Sequence, residues 1–245
     1  MRLMFLGTGG YHPTEHRHTA CLFQPETGLV LDAGTGLFRV FPRLETRELS
    51  IFVTHSHLDH IMGLPNCHVP LKLGQLDCVR VFGTPETLTA IQEHLFATEL
   101  FPVKTPLEYR ELPERIPIGY GGVLTHYPVE HPGGSTAYKI EWPNYSVAYV
   151  TDTFADQSYI DFIRRVDLLI HECNFDDDMP ELAKQTGHSY ANAVTLLAKS
   201  ARVKRLILTH FDPFFDYRQP IDLNRARQTF PNTELATDSL VVEWA

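Results

Sequence analysis

No stretch of the 245 residues approaches the ~18 consecutive apolar positions of a membrane span. The opening run from Met1 to Leu6 turns at Gly7-Thr8-Gly9-Gly10, too early for a signal-peptide core. Cysteine is scarce: Cys21, Cys67, Cys78 and Cys173 are irregularly spaced, with no CxxC pair. That reads as reduced core thiols rather than a disulfide scaffold, and the cytoplasm is the expected compartment. Basic runs are missing and the formal net charge is −9. Both argue against long nucleic acid held through its phosphates. A small anionic substrate stays open, because local metal ions can outweigh the global sign. No Gly/Ser/Pro-rich linker, low-complexity tract or fixed-period repeat divides the chain, so residues 1–245 are expected to form a single domain.

What the chain has in excess is histidine. At 13 per 245 residues, a six-residue window holds about 0.3 on average, yet His55-Ser56-His57-Leu58-Asp59-His60 holds three. The cluster follows the apolar run Leu49–Thr54 and precedes Ile61-Met62-Gly63-Leu64-Pro65, so packed structure embeds it. If the segment is extended, residues two apart project the same way. Imidazole and carboxylate suit Zn²⁺, Mn²⁺ or Fe. One ion cannot easily take four donors from so short a loop. Two adjacent ions can, with His55 and His57 on one, Asp59 and His60 on the other, and further ligands from elsewhere.

Periodicity and turn residues predict strands over 2–6, 19–24, 29–32, 49–54 and 79–82. A helix then runs to about Phe96, with Thr84 as N-cap and Pro85 at its first position. Further strands are expected over 122–129, 136–142, 145–151, 167–171, 204–209 and 240–244. Helices are expected over 157–164, over 190–201 with Ser189 as N-cap, and near 223–230. Strands come first as a meander, then alternate with helices. This pattern predicts an α/β (α+β) fold: two mixed sheets flanked by helices in a four-layer αββα sandwich. Ligand-type residues recur just past strands: His55, His131, Asp152 and His210. Strand ends are where a rigid sheet gathers distant side chains.

The HxHxDH segment after a strand resembles the mark of the metallo-β-lactamase superfamily. Asp32-Ala33-Gly34-Thr35-Gly36 resembles its acidic turn, and His131-Pro132-Gly133-Gly134 its third histidine. Thr151-Asp152-Thr153 resembles its bridging aspartate, and Thr209-His210-Phe211 its last histidine. The resemblance implies two divalent ions, Zn²⁺ with Mn²⁺ or Fe²⁺ as alternatives. Their ligands are His55, His57, Asp59, His60, His131, Asp152 and His210. Within the superfamily, Leu168-Leu169-Ile170-His171-Glu172 followed by Gly187-His188-Ser189 resembles the ribonuclease Z-like and cyclic-phosphate phosphodiesterase branch. There the histidine matching His188 is the acid on the phosphate side, held by the residue matching Glu172. His188 is also expected at a helix start, a natural anion site.

Ribonuclease Z carries a long insertion between the third histidine and the bridging aspartate, which clasps tRNA. Here the two are 21 positions apart, from His131 to Asp152. The compact spacing is similar to small cyclic-phosphate phosphodiesterases, although their cysteine-rich extra zinc site has no counterpart. The implied function is hydrolysis of a small or cyclic phosphodiester by a metal-bridged hydroxide, with Asp59 orienting the nucleophile. A homodimer is left open. The alternatives are a lactone or thioester hydrolase of the same superfamily, a tRNA 3′-processing endonuclease, and a non-catalytic metal-binding member.

Weaker signals are read with their plainer alternatives. His12, His16 and His18 line a substrate mouth or a simple polar loop. His68, His94 and His126 are packing or surface residues, and His171 is a core residue or one that supports the ligands. Phe211, Phe214, Phe215 and Tyr217 form core packing, a stacking wall or a dimer contact. Asp176-Asp177-Asp178 is a solvated loop or a helix N-cap.

Overall fold

The computed structural model describes every residue except Tyr217. The chain folds as two compact units. The first is Met1–Pro113 with Asp238–Ala245, and the second is Glu114–Thr237.

In the first unit, β1 (Arg2–Gly7), β2 (Cys21–Gln24) and β3 (Leu29–Leu31) form an antiparallel meander. β4 (Glu48–Phe52), β5 (Cys78–Gly83) and β6 (Glu108–Glu111) then add in parallel beside β3. The C-terminal strand Val241–Glu243 pairs antiparallel with the outer edge of β1, completing a seven-stranded mixed sheet. Parallel strands need crossovers, which short helices supply here. They are α1 (Leu58–Ile61), α2 (His68–Lys72) and α3 (Pro85–Ala90). The Thr84 hydroxyl accepts the Thr87 N–H, so α3 starts at its expected cap. Leu6, Phe23, Val30, Ile51 and Val81 lie within the core of this unit.

The second unit repeats the arrangement. β7 (Ile116–Ile118), β8 (Gly122–Val129), β9 (Ser135–Glu141) and β10 (Ser146–Val150) are antiparallel neighbours. β11 (Leu168–Glu172), β12 (Arg205–Thr209) and β13 (Thr233–Leu235) then run parallel to β10. Its helices are α4 (Pro180–Thr186), α5 (Ala191–Ala201) and α6 (Leu223–Thr229). Every residue of β11 is buried, as expected for an interior parallel strand. Two mixed sheets with helices place the chain in the expected α/β class.

Four local expectations fail. The 157–164 segment is a chain of turns, not a helix. Its bonds from Ile160 to Gln157 and from Phe162 to Tyr159 join residues three apart. Buried Tyr159 and Ile163 give the helical apolar spacing, but packing fixes the backbone in another form. Ser189 does not cap α5: its hydroxyl donates to the Thr153 carbonyl, and the cap residue is Tyr190, without a side-chain bond. Instead Asp177 reaches back to accept the Asn192 N–H in the first turn of α5. His188 therefore lies two residues before the cap, in the link after α4, and not at the dipole end of α5. The acidic run 176–178 is neither solvated throughout nor the cap of α4. Asp176 accepts the Asp222 N–H, and Asp177 pairs with Arg225.

The fold places chemistry at strand ends. Asp32 follows β3 directly and His210 follows β12, while Asp152 is one residue beyond Thr151 at the end of β10. All three have left-handed backbones, with φ of 57°, 59° and 50°. Non-glycine residues visit that region at a cost, and such strain concentrates at functional sites.

Candidate metal centre

In the first unit the histidine segment is only partly extended. His55 and His57 lie in the loop after β4, whereas Asp59 and His60 belong to α1. The His55 ring centroid is 4.4 Å from that of His57 and 4.3 Å from that of His60. One carboxylate organises the cluster. Asp32 is fully buried and accepts the Thr54 N–H at 2.8 Å, the Thr54 hydroxyl at 3.0 Å and His60 Nδ1–H at 2.9 Å. A carboxylate only accepts, so Nδ1 of His60 carries the proton and Nε2 carries the lone pair. The Thr54 hydroxyl, having donated to Asp32, accepts from His55 Nδ1 at 3.1 Å, which gives His55 the same tautomer. The sequence marked Asp32 only as part of a turn. Its role was hidden because its partner His60 is 28 positions away. Asp59 Oδ2 accepts the Tyr11 N–H at 2.9 Å.

In the second unit His131 follows β8. Its Nδ1 donates to the Gly187 carbonyl at 3.0 Å, leaving Nε2 as the basic atom 3.7 Å from Asp152 Oδ2. His210 Nε2 stands 3.3 Å from the other oxygen, Asp152 Oδ1. The two oxygens of one buried aspartate thus face two different histidines.

These separations fit metal ions. In the neutral rings, Nε2 of His131 and of His60 is unprotonated, so each aims a lone pair at a carboxylate oxygen. That contact is repulsive without a cation. Two donors each about 2.1 Å from a tetrahedral ion sit about 3.4 Å apart. His60 Nε2 to Asp59 Oδ2 is 3.4 Å, and the Asp152 pairs are 3.3 and 3.7 Å. The donor chemistry is that of borderline divalent ions.

Beside His131 and His210 is the fully buried Glu172. Its Oε1 accepts the Thr153 N–H at 2.9 Å and pairs with His188 Nδ1 at 2.9 Å. Its Oε2 accepts the N–H groups of Ser189 and Asn174. Three backbone donors fix this carboxylate, and it fixes one ring. The His188 ring centroid is 5.1 Å from that of His131 and 5.7 Å from that of His210. Asn174 in turn holds the His210 carbonyl at 3.1 Å.

The remaining histidines are placed as well. His171 is fully buried, with Nδ1 donating to the Glu172 carbonyl and Nε2 2.7 Å from the Tyr159 hydroxyl. Burial pushes its pKa down, which makes it a neutral core residue. His18 is half-buried with Nδ1 3.1 Å from the Thr35 hydroxyl, and burial, then Arg39, lowers its pKa. His12 is half-buried and His16 exposed. His68 meets Thr105, His94 is exposed, and His126 sits half-buried in β8. Of the aromatics near His210, Phe211 is buried, Phe214 is 78% exposed, and Phe215 lies edge-on to Phe175. Tyr217 lies outside the described residues. Cys21, Cys67 and Cys173 are buried free thiols, and Cys78 is a half-buried one.

Buried carboxylates wedged between oriented imidazoles, at the ends of strands in two mixed sheets, define a metal-dependent hydrolase. The chain belongs to the β-lactamase superfamily: the family described as Beta-lactamase superfamily domain matches residues 27–211. Its sequence relatives lie in the ribonuclease Z-like branch. It is 27% identical to a ribonuclease Z of Methanosarcina acetivorans, over 99% of this chain and 98% of the relative. That alignment covers 299 residues against 245 here, so at least 54 positions of the relative face a gap. The fold is shared with the metallo-β-lactamase fold protein YhfI of Bacillus subtilis, with TM-score 0.82, 22% identity and 99% of both chains covered. It is also shared with the short form of human tRNase Z, with TM-score 0.76, 22% identity and 99% of both chains covered. Relatives named as ribonucleases weigh against restricting the substrate to small molecules on charge alone. Among the described residues, no helix is long and apolar enough to cross a membrane.

Proposed function

We propose that the chain is a phosphodiesterase acting on a small or cyclic phosphodiester with two divalent ions, Zn²⁺ first and Mn²⁺ or Fe²⁺ as alternatives. His55, His57, His131 and Asp152 are the proposed ligands of one ion, and Asp59, His60, Asp152 and His210 of the other. In this reading residues 1–245 work as one domain. Divalent ions supply two things when bound: charge to neutralise phosphoryl oxygens, and a lowered pKa for water, to ~7.

The chain's own residues do the rest. Asp32, Thr54 and the Gly187 carbonyl set the tautomers of His60, His55 and His131, so each presents Nε2. Asp59, steadied by the Tyr11 N–H, orients the attacking water and takes its proton. His188 hands the Nε2 proton of its imidazolium to the leaving alkoxide. Glu172 stabilises that imidazolium through Nδ1 and keeps the ring from swinging.

The observation that carries the reading is the 2.9 Å pair of His188 and Glu172 beside His131 and His210. An alkoxide leaving group needs a proton, and a buried carboxylate behind a partly exposed imidazole supplies a positioned donor. A thioester expels a thiolate, which makes weaker use of such a pair; a lactone expels an alkoxide as a diester does, so the substrate screen separates those two. The full-length relationship to a ribonuclease Z supports a second reading, tRNA 3′ processing, which the gapped alignment and the short 131–152 interval disfavour.

The test is a substrate screen on metal-defined protein. It compares bis(p-nitrophenyl) phosphate, cyclic nucleotides, cyclic sugar phosphates, a lactone and a precursor tRNA. Turnover of small diesters is expected. A lactone or the tRNA as the only substrate would overturn the reading.

A further inference from the structure

A cleft of about 310 Å³ opens in the second unit, lined by the loop of His131 and by residues at the end of α4. Pro132, Phe154 and Gly187 give it apolar surface, while Asp156, Lys184 and Gln185 bring polar groups to it. It touches the candidate ligand His131 directly. Gly187, on its wall, directly precedes His188. Apart from His131, no residue of the proposed ligand set lines it, and neither does His188.

Three features narrow what it can hold. The volume is at the low end of small-molecule sites, enough for a ring system and its sugar but not for a length of chain. Phe154 lines the cleft and is half-buried, with its ring centroid 6.2 Å from that of Tyr190, so part of its aromatic surface remains open. The charged groups are Glu130, Asp156 and Lys184, two acids against one base. That balance disfavours a second phosphate. It suits a neutral planar group with hydrogen-bonding edges.

We propose that this cleft is the subsite for the nucleobase of a nucleotide-type phosphodiester, which stacks on Phe154 while its edge meets Asp156, Lys184 or Gln185. The proposal rests on the phosphodiesterase reading for the position of the phosphate, but base binding does not depend on turnover. Stacking of a base on an aromatic side chain accounts for roughly a tenfold effect or more when the ring is removed.

Two measurements separate the possibilities. The first compares kcat/KM for thymidine 5′-(p-nitrophenyl phosphate), its abasic deoxyribose counterpart and methyl p-nitrophenyl phosphate. The expected order places the nucleotide first. Phe154→Ala should lower its preference over the methyl diester about tenfold, chiefly through KM, and Phe154→Tyr should restore it. An unchanged preference ratio would overturn the proposal. A Phe154-dependent preference kept by the abasic diester would assign the cleft to a sugar instead and equally overturn it. The second measurement follows NMR saturation transfer from the protein to the base protons of adenosine 5′-monophosphate, which Phe154→Ala should abolish. Base binding without any diester turnover would sustain the cleft and sink the phosphodiesterase reading. Turnover indifferent to Phe154, with no transfer to the base, would do the reverse.

Discussion

Asp32 Oδ2 and His60 Nδ1 lie 2.9 Å apart, and neither side chain is exposed to solvent. The pair joins a turn after β3 to a residue of α1 and decides which nitrogen of His60 can meet an ion. An outer carboxylate of this kind commonly sets metal affinity by a factor of ~10–100. Asp32→Asn should therefore weaken zinc binding by about that factor, as read by competition with a chromogenic chelator. Unchanged affinity would remove Asp32 from the account.

His188 and Asp152 should fail in different ways. His188→Ala should keep its metal, measured by plasma emission, while turnover of a diester with an alkoxide leaving group, such as a cyclic nucleotide, falls by ~10²-fold or more, the usual size for a lost proton donor. Asp152→Ala should lose metal itself, because both carboxylate oxygens face histidines at 3.3 and 3.7 Å. Full activity in the first variant, or full metal content in the second, would contradict the assigned roles.

Gly187 has a left-handed backbone with φ +74°, and a Cβ there would meet Pro132 Cδ at 2.7 Å and His131 Nδ1 at 3.1 Å. Gly187→Ala should push the His131 loop away and break the bond from His131 to the Gly187 carbonyl. The expected outcome is a loss of ~1–3 kcal/mol in stability by denaturant titration, together with weaker metal binding. A variant as stable as the parent would show that the contact is easily relieved.

His171 gives a pH signature. Its pKa is lowered by burial from the ordinary 6.5, so below about 6.5 the unfolded chain binds a proton that the folded chain does not. Stability should fall as pH drops through that value, with at most ~1.4 kcal/mol per pH unit from this one group. His171→Gln should flatten the slope between pH 6.5 and 5 in metal-free protein, whatever its effect at pH 7.5. An identical slope would show that His171 is not titrating on unfolding.

The cluster at positions 55–60 was legible because its members are adjacent, and imidazole density needs no fold to be noticed. His131, Asp152 and His210 are single residues far apart, visible through their place just past predicted strands and through a family pattern. The structure puts two of them on opposite oxygens of the third. Asp32 was marked only as part of an acidic turn, with nothing local to show its bond to His60. Ser189 has the composition of a cap, yet Thr153 claims its hydroxyl and Asp177 takes over the first turn of α5. The 157–164 segment has helical spacing of apolar residues, but turns satisfy the same burial. The edge strands β7 and β13 have three residues each, and β6 is polar Glu108-Tyr109-Arg110-Glu111, so neither period nor hydropathy marks them. Long interior strands were found because burial on both faces writes a continuous apolar run.

The central claim is a two-ion phosphodiesterase, and a metal titration of activity tests it most directly. Protein stripped of metal is titrated with Zn²⁺ or Mn²⁺ while bis(p-nitrophenyl) phosphate hydrolysis is followed. Activity should be absent at the start and rise to a plateau at two ions per chain. Hydrolysis by the stripped protein, or none at any metal loading, would contradict it.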